Sequence, residues 1–364
     1  MIDMATSTLT PLAPLSIGQV PIGFPVVQAA LSGYSDVPMR VIARRLGASY
    51  CLCEVVLDRL VLTGGKKTRR FLRIADGEHP VGGQLMGSDP TEFAPAAKEL
   101  VRAGFDVIDI NFGCPVKKVL GRCRGGYLLG HPDTALEIVS QVRDAVPPGI
   151  PVTVKMRRGV DDSQQSRDRF FEIFDGAFAR GVSAITVHGR TVQQRYIGPS
   201  RWEFLREVKA HAGARTVLGS GDLFTPQSCL DMIRQTGVDG VTAARGAIGN
   251  PWIFSQARAL SAGLPLPAPP SLHEQREVML EHYRLAEEHY GPDLCGRQMR
   301  KFGIKYAQLH PAGIQVRDAF IAVRNMRDWQ AALDRWYSED LPGVHPPEPT
   351  DLAECGSAEA ACSA

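Results

Sequence analysis

Apolar residues recur along this chain at two periods, and the two alternate. Short, nearly continuous apolar runs at 24–30, 49–56, 81–86, 107–112, 151–156, 184–188, 215–219 and 239–244 read as strands buried on both faces. Between them lie longer stretches with apolar residues three and four apart. One starts at Asp36 and carries Met39, Val41, Ile42 and Leu46; another starts at Ser88-Asp89-Pro90 and carries Phe93, Ala97 and Leu100. Asp36 and Asp89 are N-cap residue types, and Pro90 suits a first helical turn. Further helices are predicted at 132–146, 163–180, 201–211, 226–236 and 251–261. Eight strand-helix units over residues 23–262 predict the α/β class and a closed (β/α)8 TIM barrel, rather than an open doubly wound sheet. No G-x-G-x-x-G follows the first strand, which counts against a dinucleotide fold.

The flanks read differently. Residues 1–22 are rich in Pro, Thr and Ser and read as a loose lead-in, and 58–78 as a long basic connection. The proline-rich run 263–270 reads as a linker. Residues 271–338 then predict a helical bundle, with helices at 274–290, 296–310 and 314–336. The segment 340–364 is acidic and rich in Pro and Ala, and reads as a disordered tail.

Composition adds constraints. The chain has 364 residues, 44% apolar and 22% charged, enough for a large core. No run approaches the roughly 18 apolar residues that span a bilayer, and no basic stretch followed by an apolar one opens the chain, so the reading is cytoplasmic. The eight cysteines are scattered, which argues against a disulfide framework. Cys51 and Cys53 share one face of a strand and have no second Cys or His pair at ligand spacing, so no metal is expected. Net charge is +2, and removing the last 24 residues, with their four acids Glu348, Asp351, Glu354 and Glu359 and no Lys or Arg, leaves +6. Basic residues cluster at Lys66-Lys67-x-Arg69-Arg70, at Lys117, Lys118, Arg122 and Arg124, at Arg157-Arg158, and from Arg297 through Arg300 and Lys301 to Lys305. Such clusters suit a phosphate-rich partner.

In a barrel of this kind the chemistry sits at the carboxyl ends of the strands. Those ends carry Ala30-Leu31-Ser32, Glu54, Gln84, Asn111 with Cys114, Lys155 with Arg157, His188-Gly189-Arg190, Ser220-Gly221-Asp222 and Ala244-Arg245-Gly246. Cys114 is presented by a Gly-Cys-Pro turn with Lys117 and Lys118 nearby, and positive charge favours a thiolate. A strand-end lysine such as Lys155 needs solvent or an anion. The glycine turns after the last two strands lie where barrels bind phosphate through backbone N–H groups, with Arg245 as a fork. Together Gln84, Asn111 and His188 form a polar ring suited to a planar heterocycle.

These residues resemble a known family, the tRNA-dihydrouridine synthases, and most closely their bacterial B-type branch. The resemblance runs from about residue 22 to 330. It rests on Ser32-Gly33-x-Ser-Asp36-x-Pro38, Gly83-Gln84-Leu-Met-Gly87, Asp109-Ile-Asn-Phe-Gly-Cys-Pro115, Lys155-Met-Arg157, His188-Gly-Arg-Thr191, Gly221-Asp222, and Arg245-Gly-Ala with Asn250-Pro-Trp-Ile-Phe254. It implies an FMN enzyme, reduced by NADPH, that converts uridine in tRNA or another structured RNA to 5,6-dihydrouridine. By position Cys114 would protonate C5 as hydride reaches C6. Ala30, Leu31, Ser32, Gln84, Asn111, Lys155, His188, Ser220, Gly221, Asp222, Ala244 and Arg245 would hold the cofactor. Lys117, Lys118, Arg122, Arg190, Arg297, Arg300, Lys301 and Lys305 would meet the RNA, and a monomer is expected.

The chain departs from the family pattern at three turns. It has Ala29-Ala30-Leu31 for Ala-Pro-Met, Gly219-Ser220-Gly221-Asp222 for Ala-Asn-Gly-Asp, and Ala244-Arg245 for Gly-Arg. Ala244 adds a methyl where backbone approaches phosphate, and Ser220 is shorter than Asn, so weaker flavin affinity is implied. Two other readings fit the same strand ends: a flavin barrel acting on a free pyrimidine, as in dihydroorotate or dihydropyrimidine dehydrogenases, and a non-catalytic RNA-binding barrel. The basic helical region argues against the first, and the joint presence of Cys114, Lys155 and Arg245 against the second.

Overall fold

The computed structural model describes residues 11–347. Its strands are Leu15–Ile17 (β1), Val20–Gly23 (β2), Val26–Gln28 (β3), Cys51–Leu52 (β4), Val56–Leu57 (β5), Val81–Met86 (β6), Val107–Phe112 (β7), Val152–Arg157 (β8), Ala184–His188 (β9), Thr216–Ser220 (β10) and Gly240–Ala243 (β11). The sheet runs β4-β3-β11-β10-β9-β8-β7-β6-β5, every pairing is parallel, and β4 also pairs with β6, which closes the ring. β4 and β5 are two pieces of one barrel strand, interrupted at Cys53-Glu54-Val55. The barrel therefore has eight strand positions, as the periodicity predicts. β6 and β7 are buried at every residue, which is why they read as continuous rather than alternating apolar runs.

The helices are Val37–Arg45 (α1), Asp58–Thr63 (α2), Gly65–Phe71 (α3), Pro90–Ala103 (α4), Lys117–Leu120 (α5), Pro132–Ala145 (α6), Gln164–Ala179 (α7), Trp202–Ala212 (α8), Pro226–Thr236 (α9) and Ile253–Ser261 (α10). The two N-caps legible in the sequence are made: Met39 N–H donates to Asp36 Oδ1 at 3.0 Å and Thr91 N–H to Asp89 Oδ1 at 3.0 Å. The chain ends in Leu272–Tyr290 (α11), Pro292–Tyr306 (α12), Gly313–Ile321 (α13) and Met326–Trp336 (α14). These pack around buried Tyr283, Met299, Phe302, Phe320 and Trp329. A Cβ at Gly303 would stand 2.4 Å from the Phe320 ring, so only glycine lets α12 approach α13 this closely.

Four expectations are corrected. Residues 15–23 are not a loose lead-in but the hairpin β1-β2, whose Leu15, Ile17 and Ile22 pack with Val27, Val107 and Leu218 inside the barrel. The basic connection after residue 58 is largely helical, in α2 and α3. The predicted helix 314–336 is two helices. The Asn325 side chain accepts Asp328 N–H at 3.1 Å while Asp328 accepts Arg324 N–H at 2.8 Å, a reciprocal cap that starts α14 afresh. Finally, the start of the expected disordered tail is fastened down: Val344 N–H donates to the Leu309 carbonyl at 2.9 Å, and the Leu341 carbonyl accepts Leu272 N–H at 2.9 Å. Residues 1–10 and 348–364 lie outside the described residues. No helix among those described is long and apolar enough to cross a membrane.

One buried ion pair ties α1 to the segment before β6. Arg40 and Glu78 are 1% and 2% exposed and meet in a two-pronged contact at 3.0 and 3.2 Å, and Arg40 also donates to the carbonyls of Ser35 and Arg73 at 3.0 Å. Arg40→Met is expected to cost about 3–5 kcal/mol in denaturant unfolding, because Glu78 is left buried and unpaired. The double variant with Glu78→Met should recover part of that loss; a double variant worse than the single would show that the pair itself stabilises the fold.

Candidate active site

Register brings the strand-end polar residues to one level. Gln84 lies opposite Asp109, Asn111 opposite Lys155, Arg157 opposite His188, and Ser220 opposite His188. They surround a cavity of about 430 Å³ at the carboxyl mouth of the barrel, within the size range of small-molecule and cofactor sites. Ala30, Leu31, Ser32, Gln84, Asn111, Cys114, Lys155, His188, Ser220, Gly221, Asp222, Ala244 and Arg245 all line it.

The floor is a buried hydrogen-bond relay. Thr153 Oγ1 donates to Asp109 Oδ1 at 2.5 Å, and Gln84 Nε2 donates to Asp109 Oδ2 at 2.6 Å. Asn111 Nδ2 donates to Gln84 Oε1 at 2.7 Å, and Asn111 Oδ1 accepts the N–H groups of Gly113 and Cys114 at 2.9 and 3.0 Å. Each amide is thereby fixed in one orientation, and the turn bearing the thiol is held by the relay's last member. The carbonyl of Gly113 is held in addition by Arg157 Nε at 2.9 Å. Cys114 is half-buried at the cavity wall.

Beside the relay, on the next two strands, stand two basic groups that burial disfavours. Lys155 makes no hydrogen bond or ion pair to a described residue, and burial together with the Arg157 charge brings its ammonium down to about 8. His188 is held well below its ordinary value by burial and by the charges of Arg157, Lys155, Arg190 and Arg245, so it is neutral. Its Nδ1 accepts Arg190 N–H at 3.1 Å, which leaves the proton on Nε2. Thr242, which also lines the cavity, has a buried hydroxyl with no hydrogen-bond partner among the described residues. The cavity therefore presents donors in search of acceptors.

Past the relay, the turns after β10 and β11 touch: a Cβ at Gly246 would stand 2.1 Å from the Leu223 carbonyl oxygen. Arg245 lies here, its guanidinium 4.9 Å from the Tyr196 ring centroid and 5.0 Å from that of Phe224, and 3.6 Å from Asp222 Oδ1.

The basic residues expected on the RNA divide. Lys118 and Arg122 line the cavity mouth, exposed, and Lys117, Arg297 and Arg300 are exposed beyond it. None of these five forms an ion pair with a described residue. Lys301 and Lys305 are half-buried, the latter with its backbone against Gly249. Arg190 has no surface at all: it is 0% exposed, donates to the Gly198 carbonyl at 2.8 Å and pairs with Asp222 Oδ2 at 2.8 Å. Arg190 is thus a buried brace for the loop 191–200. Glu54, a strand-end residue, likewise turns from the cavity and accepts the N–H of Gly33. Lys67 and Arg124, which the sequence placed only in basic clusters, also line the cavity, as do Tyr196 and Thr242, which sequence reading missed. Tyr196 follows the His-Gly-Arg-Thr block by only a few residues, but its loop has no periodicity to place it.

Lys155 has a testable signature. A lysine lowered on folding adds stability only above its unfolded value, and that stability is lost as pH falls through about 8. Lys155→Met is expected to remove this slope between pH 10 and 8 and to leave Tm at pH 7 equal to or above that of the unaltered protein. A Tm several degrees lower would show that the ammonium is paired.

With this geometry in place, comparisons with known proteins are specific. The family profile described as dihydrouridine synthase (Dus) matches residues 27–340. A probable tRNA-dihydrouridine synthase of Mycobacterium tuberculosis is 34% identical over 336 residues, covering 90% of this chain and 86% of its own. A tRNA-dihydrouridine synthase B of Xanthomonas campestris pv. campestris is 35% identical over 335 residues, covering 92% and 98%. Among solved structures, histamine dehydrogenase from Rhizobium sp. 4-9 superposes with a TM-score of 0.54 at 15% identity over 80% of this chain, which spans half the length of that one. Morphinone reductase superposes with a TM-score of 0.51 at 13% identity, covering 72% of this chain and 93% of its own. The structural likenesses speak to the barrel alone; on the family match and the sequence relatives, this chain belongs to the dihydrouridine synthase family.

Proposed function

We propose that this protein is an FMN-dependent enzyme that reduces a uridine of tRNA to 5,6-dihydrouridine, with NADPH as the source of electrons. The observation that carries the reading is the cavity itself, in which a thiol on a fixed turn faces donors without acceptors, beneath a rim of unpaired cations. A flavin fits that donor set. Lys155, His188 Nε2 and the Thr242 hydroxyl offer hydrogen bonds to a ring rich in acceptors, and Arg245 with the turns at Ser220-Gly221 and Ala244 offers a phosphate site. When bound, FMN supplies the hydride that reaches C6 of the uracil.

The chain supplies orientation and the proton. The Cys114 Sγ–H bond breaks as the proton passes to C5 of the uracil, and the thiolate recovers its proton from solvent. The Asp109-Gln84-Asn111 relay fixes the turn from which Sγ acts, so the donor does not have to be reoriented during the reaction. The target base has to leave its stack to reach the cavity. Lys67, Lys118 and Arg122 at the mouth, with Arg297 and Arg300 on α12, would take the flanking phosphates. A free pyrimidine would have no use for these cations, and the RNA reading is favoured for that reason.

Purified protein is expected to show a flavin absorption band that bleaches on anaerobic addition of NADPH. Cys114→Ala should retain that band and lose about 10²–10⁴ in dihydrouridine formation; undiminished formation would remove Cys114 from the acid role. Affinity for tRNA should fall steeply with salt, and Lys118→Ala or Arg122→Ala should each reduce the log–log slope by about 1. An unchanged slope would place the RNA elsewhere.

A further inference from the structure

Lys301 differs from the other cations of α12. Its Nζ donates to Gln298 Oε1 at 3.0 Å and stands 5.3 Å from the ring centroids of both Tyr34 and Phe302. Tyr34 meets Phe302 edge to face at 5.4 Å. Tyr34 belongs to the loop 31–35 after β3, which also gives Leu31 and Ser32 to the cavity. That loop is thus sandwiched, with the cavity on one side and α11 and α12 on the other.

Two barrel carboxylates lie in the same seam. Asp36 is 2% exposed and accepts the Tyr290 hydroxyl at 2.7 Å, and Glu54 accepts the backbone N–H of Gly33, inside the loop. Both feel the Lys301 charge. Tyr290 and Lys301 come from the C-terminal helices, whereas Asp36, Glu54 and Gly33 come from the barrel. The loop carrying three cavity residues is therefore held by charges supplied from both parts of the chain.

The geometry points to Lys301 and Glu54 as positioning residues, through which the C-terminal helices hold the loop 31–35 against the cofactor end of the cavity; Lys301 is not an RNA contact. This rests on the cofactor reading given above. The physical logic is the proximity of like charges. Burial and then Asp36 push the Glu54 carboxyl up to about 7, while Lys301, the Gly33 N–H and Arg40 oppose them. Cys53, Asp36 and Arg40 of the barrel and Tyr290 and Lys301 of the helices are the titratable groups facing it. Loss of the Lys301 charge removes one of the influences that oppose protonation of Glu54, and a protonated carboxyl is a weaker acceptor for the Gly33 N–H.

The test is amide hydrogen exchange of segment 31–36 in cofactor-free protein, paired with FMN titration in the absence of RNA. Lys301→Met is expected to speed exchange of that segment and weaken FMN binding by about tenfold each, the scale of one charge-assisted hydrogen bond. Lys301→Arg should restore both. Arg300→Ala, exposed and one residue away, should alter RNA affinity and leave exchange of 31–36 unchanged. With Glu54→Gln in place, where a neutral amide accepts without needing a cation, Lys301→Met should add little. Normal exchange and normal FMN affinity in Lys301→Met, with tRNA affinity lost, would overturn the inference and return Lys301 to the RNA surface. Failure of the unaltered protein to bind FMN would instead sink the cofactor reading, and the exchange data would still decide whether Lys301 holds the loop.

Discussion

A buried carboxylate in the middle of a parallel barrel has to be satisfied by its neighbours, and at Asp109 that demand organises the site. Burial raises its pKa, while the Thr153 hydroxyl and the Gln84 amide stabilise the anion. Once Gln84 Nε2 is committed to Asp109, its Oε1 can only accept, so Asn111 must donate with Nδ2 and accept with Oδ1. Oδ1 in turn takes the N–H groups of Gly113 and Cys114. A single buried carboxyl thereby sets the orientation of two amides and the place of the thiol turn, and no member can rotate without orphaning another.

Electrostatics separates the cations into two populations that look alike in sequence. Arg157 and Arg190 are buried and serve as scaffolding: Arg157 Nη1 donates to the carbonyls of Thr191 and Arg195 at 2.8 and 2.7 Å, and Arg190 ties the Gly198 carbonyl to Asp222. Between them these two planar donors fix the irregular loop 191–200 and hence Tyr196, beside Arg245. Lys118, Arg122, Arg297 and Arg300 instead keep their charge in water. Only this second population is available to a polyanion without an added desolvation penalty.

That division also marks what the sequence could and could not convey. Strand number, barrel closure and the level of the polar ring were legible because burial on both faces leaves unbroken apolar runs, and because strand ends are where those runs stop. The hairpin β1-β2 was not, since three buried residues among prolines and threonines carry no period long enough to see. The break between α13 and α14 was hidden because Asn325 and Asp328 are ordinary surface residues unless their reciprocal cap is formed. Arg190 was misread for a related reason: arginine is exposed far more often than buried, and its five donors find backbone carbonyls only once the loop has folded.

The likeness to histamine dehydrogenase and morphinone reductase extends to the barrel fold alone, and a barrel does not by itself specify a function. Strands and helices fix where the mouth lies, but they leave its occupants unspecified. In this chain the mouth is distinguished by groups that regular structure does not dictate: the thiol on the turn after β7, Lys155 with no ion pair to a described residue, and a helical layer whose Phe302 and Lys301 reach the loop after β3. The helical layer therefore has two faces with different physics. Its solvent face is a field of cations that can be screened by salt, and its barrel face is a packed seam that cannot. A partner arriving on the first face is mechanically adjacent to the cavity through the second, because the same helix, α12, carries Arg300 outward and Lys301 inward.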